Sequence, residues 1–281
     1  PSLLSRLSRG RGGLCAMAPG RRVVLPLLVA SAPLAPSAAE WAQLVQSAGG
    51  SGDRLSRKED VPLVQDFAFA GPVIDIFGGL DQEILGFGGA FTEAASLMFA
   101  GMPEALQEQV LEMYWGSDGL GFTLGRLPIN SCDFSPRSYS FDDVDGDYGL
   151  EHFDTAVAHD RDAIIPFARA AMKKAQSVPM PGRTLRFIAT PWSPPAWMKT
   201  NGKMDGSGSP CLKPEARATW AKYISKWTSA YESMGVDIWA VTPQNEPDNN
   251  ATWEACVFKP HEEMEWIATD LGPELKESHP E

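Results

Sequence analysis

Asp237-Ile-Trp-Ala-Val-Thr242-Pro-Gln-Asn245-Glu246-Pro247 is the stretch whose reading decides the fold. Its first half reads as a short buried strand, and a polar cluster stands at that strand's C-terminal end. The same pattern occurs twice upstream. Phe122 to Ile129 is a buried-strand pattern that contains Arg126 and leads to Asn130-Ser-Cys-Asp133. Leu185 to Thr190 leads to Trp192.

Helical signals fill the intervals. Pro103 opens a helix that stops near Gly116. A second helix is expected from about Phe153 to Gln176, interrupted at Pro166. A third starts at Pro214, places Trp220, Tyr223, Ile224, Trp227, Tyr231 and Met234 at helical spacing, and ends at Gly235. Pro260 begins a fourth. Strand–helix alternation implies βαβ units and a parallel sheet, here about four units. An open doubly wound sheet and a (β/α)₈ barrel both fit that count. No GxGxxG follows the first strand and opens a helix, which argues against a dinucleotide-binding dehydrogenase. Polar clusters at successive strand ends favour the barrel, where functional residues occupy those positions. The expected fold is therefore α/β, the N-terminal half of a TIM barrel over residues 85–281. Ahead of it, residues 40–84 read as a linker and β-strands of a side module. Val61 to Phe77 reads as extended, Gly78-Gly-Leu-Asp81 as a turn and Gln82 to Phe87 as the second strand of a hairpin.

The chain has 281 residues, 43% hydrophobic and 21% charged, an ordinary globular composition. Its net charge of −12 disfavours nucleic acid as a partner. Residues 1–39 lie upstream of the folded part. From Met17 they read as a signal peptide: Arg21-Arg22, the apolar run Val23 to Ala30, then small residues to Ala39. That implies the secretory pathway, secreted or lysosomal/vacuolar, and makes Asn250-Ala-Thr252 a glycosylation sequon. Beyond Cys15, the cysteines Cys132, Cys211 and Cys256 permit at most one bridge. With no CxxC and no Cys/His cluster, a zinc site is unsupported.

Glu246 is the leading catalytic candidate. Partial desolvation beyond a buried strand would raise its pKa, as a general acid requires. Pro247 favours extended backbone at Glu246. The Asn245 amide could bond a sugar 2-hydroxyl. Alone, Asn-Glu-Pro also suits a solvated loop.

Four stretches supply context: Gly86-Phe-Gly-Gly-Ala-Phe-Thr-Glu93-Ala, Arg126-Leu-Pro-Ile-Asn-Ser-Cys-Asp133-Phe-Ser, Thr190-Pro-Trp192-Ser-Pro-Pro-Ala-Trp197-Met-Lys-Thr-Asn-Gly202, and Trp239-Ala-Val-Thr-Pro-Gln-Asn245-Glu246-Pro. With Ala268-Thr-Asp-Leu-Gly-Pro-Glu-Leu275, they resemble glycoside hydrolase family 30, and within it the glucosylceramidases, over roughly residues 70–281. The resemblance implies a retaining β-glycosidase on a TIM barrel with an attached β-module. Glu246 then falls on the acid/base, Asn245 on its partner amide, and Arg126, Asp133 and Trp192 on the sugar subsite. Asp133 would accept bonds from glucose hydroxyls, or serve a turn. Arg126 would orient a carboxylate or form a structural ion pair. Trp192 would flank or stack on the sugar, or pack in the core. Glu93 suits a structural cap, and Trp197 and Trp253 would border the aglycone side.

A retaining mechanism needs a second carboxylate about 5–5.5 Å from the first. No residue here matches the family's nucleophile, and Glu254, Glu262 and Glu263 read as solvated charges. The chain is therefore expected to be an incomplete, inactive piece of such an enzyme. The resemblance implies a glycolipid or β-glucoside substrate, glucosylceramide above all, met at a membrane surface if lipid. It leaves open a β-1,6-glucan substrate, or a non-enzymatic sugar- or lipid-binding relative. Neither metal nor organic cofactor is required, because two carboxylates suffice.

Overall fold

The computed structural model describes residues 41–64, 70–74, 79, 81–178 and 184–280. The segment read as a signal peptide, Cys15 and part of the expected hairpin lie outside them. The chain divides into two compact units between Ile84 and Leu85.

The first unit contains two antiparallel pairs. β1 (Trp41–Ala42) pairs with β4 (Val61–Pro62), and β2 (Val45–Ala48) with β3 (Asp53–Arg57). Asp53 links β3 to its surroundings, accepting from Lys58 at 2.6 Å and from Gln46 at 2.9 Å.

The second unit is built on a four-stranded parallel sheet ordered β5-β6-β7-β8 (Gly88–Ala90, Leu124–Ile129, Arg186–Pro191, Ile238–Val241). Sequential parallel strands with helical crossovers are the arrangement expected of barrel units. After β5 come α1 (Glu93–Ala100) and α2 (Glu104–Trp115). β6 and β7 are joined through α3 (Ile164–Gln176), and β7 and β8 through α4 (Arg217–Ser233). After β8 come α5 (Pro260–Trp266), a five-residue π-helical stretch and α6 (Gly272–Ser278).

Alternation along the strands sorts the sheet's two faces. Leu127, Ile129, Phe187 and Ala189 are fully buried within the hydrophobic core. Phe91 is the hub of the α1–α3 side, with ring centroids of Phe167, Phe187 and Trp115 at 4.7, 5.1 and 5.4 Å. The apolar stripe of α4 is buried as its spacing requires: Trp220, Tyr223, Ile224, Trp227 and Tyr231 are all 0% exposed. Burial of each such side chain contributes about 1.5–3 kcal/mol. Gly235, at φ +78°, turns the chain out of that helix in a conformation few side chains tolerate.

Two sequence expectations fail locally. Gln82 to Phe87 is not a strand, and Ile84, Leu85 and Phe87 are exposed. Pairing begins instead at Gly88, where a Cβ would lie 1.7 Å from the Leu124 carbonyl oxygen, so only glycine brings β5 onto β6. The helix expected from Phe153 begins at Ile164, because residues 153–163 form turns and a short 3₁₀ segment at Asp160–Asp162. Pro166 then falls in the first turn, where its missing N–H costs no helical bond.

Those turns bury Asp160, which accepts from the hydroxyls of Tyr139 (2.8 Å) and Tyr231. His159 stacks on Tyr139 with centroids 3.5 Å apart and pairs with Glu93 at 2.8 Å. Glu93 is thus a buried hydrogen-bond partner of His159, and the helix cap is Thr92, which accepts from the Ala95 N–H. Burial pushes the Asp160 carboxyl up to about 6, against the pull of its two tyrosine donors.

Substituting Gly88→Ala is expected to cost about 1–3 kcal/mol by overpacking. Gly49→Ala, where nothing lies within 4 Å, is the control in urea denaturation. Asp160 holds its proton in the folded chain at pH values where the unfolded chain has released it. Its contribution is complete below the ordinary value of 3.8 and is lost as pH rises through about 6. Urea midpoints measured from pH 4 to 6.5 should therefore fall more steeply for the wild type than for Asp160→Asn.

Candidate active site

All four strands of the parallel sheet point their C-terminal ends the same way. The loops after β6, β7 and β8 carry Asp133, Trp192 and Glu246, respectively. The sheet face opposite the apolar one supplies the polar floor. Arg126 stands opposite Ile188 in the β6–β7 register, two residues before Thr190.

Arg126 organises this floor. Its Nη2 donates to Asn245 Oδ1 at 2.8 Å and its Nε to Thr190 Oγ1 at 3.1 Å. Thr242 Oγ1 lies 2.9 Å from the same threonine oxygen. The guanidinium carbon sits 4.5 Å from the centroid of the Trp192 ring. Burial pushes the Arg126 pKa below its ordinary value, and Cys132, Asp133 and Glu246 oppose that shift. Burial also raises the Cys132 thiol to about 11, leaving it neutral at pH 7.

The Asn245 side chain has only one consistent orientation. A guanidinium has donors and no acceptor, so the atom facing it is the amide oxygen. The amide nitrogen remains as a donor. The Asn245 N–H donates to the Pro191 carbonyl at 2.8 Å, and Gln244 Nε2 donates to the Trp192 carbonyl at 2.7 Å. Two bonds thus fix the β8 loop against the β7 strand and loop, and Arg126 adds a third from β6.

All five site residues read from the sequence are placed around this cluster. Arg126, Trp192 and Asn245 touch directly, and Asp133 and Glu246 act on Arg126 through charge. Arg126 differs from its expected roles: its direct partners are neutral oxygens and an aromatic face, not a carboxylate. Trp192 is 7% exposed but outside the main hydrophobic cluster, and the guanidinium covers one ring face.

Glu246 departs from its expected environment. It is exposed rather than desolvated, since it follows β8, an edge strand of the described sheet. Its backbone is not extended but left-handed, at φ +44°. The turn closed by the Asn249 N–H on the Glu246 carbonyl (2.9 Å) overrides the preference imposed by Pro247. The Asn249 side-chain amide also donates to Glu246 Oε2 at 2.9 Å. Strained backbone of this kind concentrates at functional sites.

Other residues were misread or missed. Trp197 is buried in the core and donates Nε1 to the Asp142 carbonyl, whereas Trp253 is exposed. Glu254 is buried, accepting from Ser138 Oγ at 2.8 Å, and so is no solvated charge. Thr190, Thr242 and Asn249 went unread as supporting groups. Only their positions beside the strand-end clusters could have signalled them. Cys211 and Cys256 form a disulfide, and Cys132 remains a buried thiol. Asn250 is exposed.

Residues 84–281 match the sequence model of the Glycosyl hydrolase family 30 TIM-barrel domain. This chain belongs to glycoside hydrolase family 30. It is 39% identical over 203 residues to putative glucosylceramidase 4 of Caenorhabditis elegans, covering 70% of this chain and 38% of that protein. It is 34% identical over 203 residues to the lysosomal acid glucosylceramidase of Mus musculus, with the same two shares. The solved structure of the endo-β1,6-glucanase BT3312 superposes with a TM-score of 0.62 at 30% identity, over 70% of this chain and 42% of that one. The chain thus spans about two fifths of the length of these relatives. Its four-stranded parallel sheet is consistent with half of a (β/α)₈ barrel.

Replacing Arg126 by Met should strand the Asn245 oxygen, while Thr190 keeps its Thr242 partner, and should cost about 1–3 kcal/mol. Arg126→Lys should recover little of it, because one ammonium cannot serve both oxygens and lie flat on Trp192. Urea denaturation of both variants measures this.

Proposed function

We propose that this chain supplies the acid/base side of a retaining β-glycosidase that acts on β-glucosides, with glucosylceramide the favoured substrate. The observation that carries this reading is the convergence of Asn245, Trp192, Asp133 and Glu246 on Arg126.

In this reading, Glu246 protonates the departing glycosidic oxygen and then, as its carboxylate, draws a proton from the attacking water. The free Nδ2 of Asn245 donates to the sugar 2-hydroxyl, a bond that strengthens as charge develops on the ring. Asp133 accepts from other sugar hydroxyls. Trp192, with Arg126 over one face, borders the subsite through the small part of its ring that stays exposed. No carboxylate of this chain is assigned as nucleophile. That group belongs to the remainder of the barrel, in keeping with the two-fifths share of its relatives' length. The names of those relatives favour glucosylceramide, and a lipid substrate implies encounter at a membrane surface. The likeness to an endo-β1,6-glucanase keeps a β-1,6-glucan as the second reading. Passage through the secretory route, secreted or lysosomal, with a glycan on Asn250, belongs to the same proposal.

The test uses the complete gene product and its Glu246→Gln variant. Hydrolysis of glucosylceramide, with its poor leaving group, should fall about 10²–10⁴-fold. An activated aryl β-glucoside should lose far less, since it needs little protonation. Equal loss on both would remove Glu246 from the acid/base role. Turnover of β-1,6-glucan without turnover of glucosylceramide would favour the second reading.

A further inference from the structure

Lys199 is 0% exposed, lying in the loop after β7. Its ammonium donates to three backbone carbonyls: Met204 and Ala255 at 2.6 Å, and Gly206 at 2.7 Å. Met204 and Gly206 belong to its own loop, whereas Ala255 belongs to the loop after β8. Three carbonyls require three N–H donors, which only the charged form of lysine has. Asp205 and Glu254 are the charged groups that face it. Glu254 in turn accepts from Ser138, in the loop after β6. One buried cation therefore sits at the junction of three loops, those that carry Asp133, Trp192 and Glu246.

The connection reaches Glu246 in a few bonds. Gly206, held by Lys199, precedes Ser207, whose N–H donates to Asn250 Oδ1 at 3.0 Å. Asn250 follows Asn249, whose amide holds the Glu246 carboxylate. The Gly206 N–H returns a bond to the Trp253 carbonyl, and the Val257 N–H donates to Ser207 Oγ. The Cys211–Cys256 disulfide joins the same two loops farther along.

We infer that Lys199 is a positioning residue: as an internal cation, it ties the loops after β7 and β8 together and so holds Glu246 at the sugar cleft. The part that concerns Glu246 rests on the glycosidase reading, whereas the loop tie does not. Burial presses the Lys199 ammonium down to about 7, and Asp205 and Glu254 hold it up. As pH rises through that value the amine becomes neutral, keeps two N–H donors and abandons one carbonyl. The tie is therefore strongest in acid.

Amide hydrogen exchange on this chain tests the tie without activity. In the wild type, protection of the Gly206, Ala255 and Val257 amides, corrected for intrinsic rates, should fall between pH 6 and 8, while that of the sheet amide of Thr242 holds. Glu254→Gln removes one supporting charge and should move that fall to lower pH. Constant loop protection across the range, or an unmoved fall in Glu254→Gln, would overturn the tie. Lys199→Met should lower the same loop protection about 10- to 100-fold at pH 6 and spare the sheet. In the complete gene product this variant should lower kcat about 10- to 100-fold on glucosylceramide, whose poor leaving group needs Glu246, and far less on an activated aryl glucoside, with KM changed little on either. Loosened loops with unchanged kcat would refute the positioning role. An inactive wild-type product would refute the glycosidase reading instead, and the exchange data would still decide the tie. If Lys199→Met exposes the whole sheet, the wild-type and Glu254→Gln profiles carry the decision.

Discussion

The site depends on one permanently charged group set into the polar floor of the sheet. The Arg126 guanidinium bonds the side chains of Thr190 and Asn245 and lies over Trp192. A partly buried cation needs such company, because desolvation without partners is expensive. Here the partners are mostly dipoles and a π-face, with Asp133 and Glu246 acting through charge. The guanidinium's planar fork suits that arrangement, serving two oxygens while its face stacks. Groups from three separate strands and loops are thereby brought to fixed positions.

The rest of the second unit makes those positions possible. Alternation separates Leu127, Ile129, Phe187 and Ala189, buried in the core, from Arg126 and Thr190, which form the floor. A parallel sheet then gathers the loops after β6, β7 and β8 at one end. Loops alone hold catalytic groups loosely, so they need supports of their own. Those supports are the bonds from Asn245 and Gln244 to the β7 strand end, the disulfide, and the Lys199 cage.

Much of this was legible where local pattern and tertiary packing agree. The 3.6-residue spacing of Trp220 to Tyr231 and the glycine at 235 mark α4 nearly to its ends. The strand-end clusters singled out Arg126, Asp133, Trp192, Asn245 and Glu246; the structure joins Arg126 to Trp192 and Asn245 by contact, and Asp133 and Glu246 act on it through charge. Long-range effects were less visible. The start of β5 depends on a carbonyl contributed by Leu124, some thirty-six residues away, which no local pattern at Gly88 reveals. The turns between Phe153 and Ala163 follow from a buried tyrosine–aspartate cluster, not from helix propensity. The backbone at Glu246 obeys a turn bond from Asn249 over the rule set by Pro247. Glu254 looks solvated until Ser138 arrives from a different loop.

The forced orientation of the Asn245 amide makes its pairing with Arg126 indifferent to acidity. Arginine keeps its charge throughout the range in which proteins remain folded, and it has no lone pair to offer. The asparagine nitrogen therefore faces away from it at every relevant acidity. The Arg126–Asn245 pair is thus a fixture whose donor and acceptor sense no change of acidity can reverse.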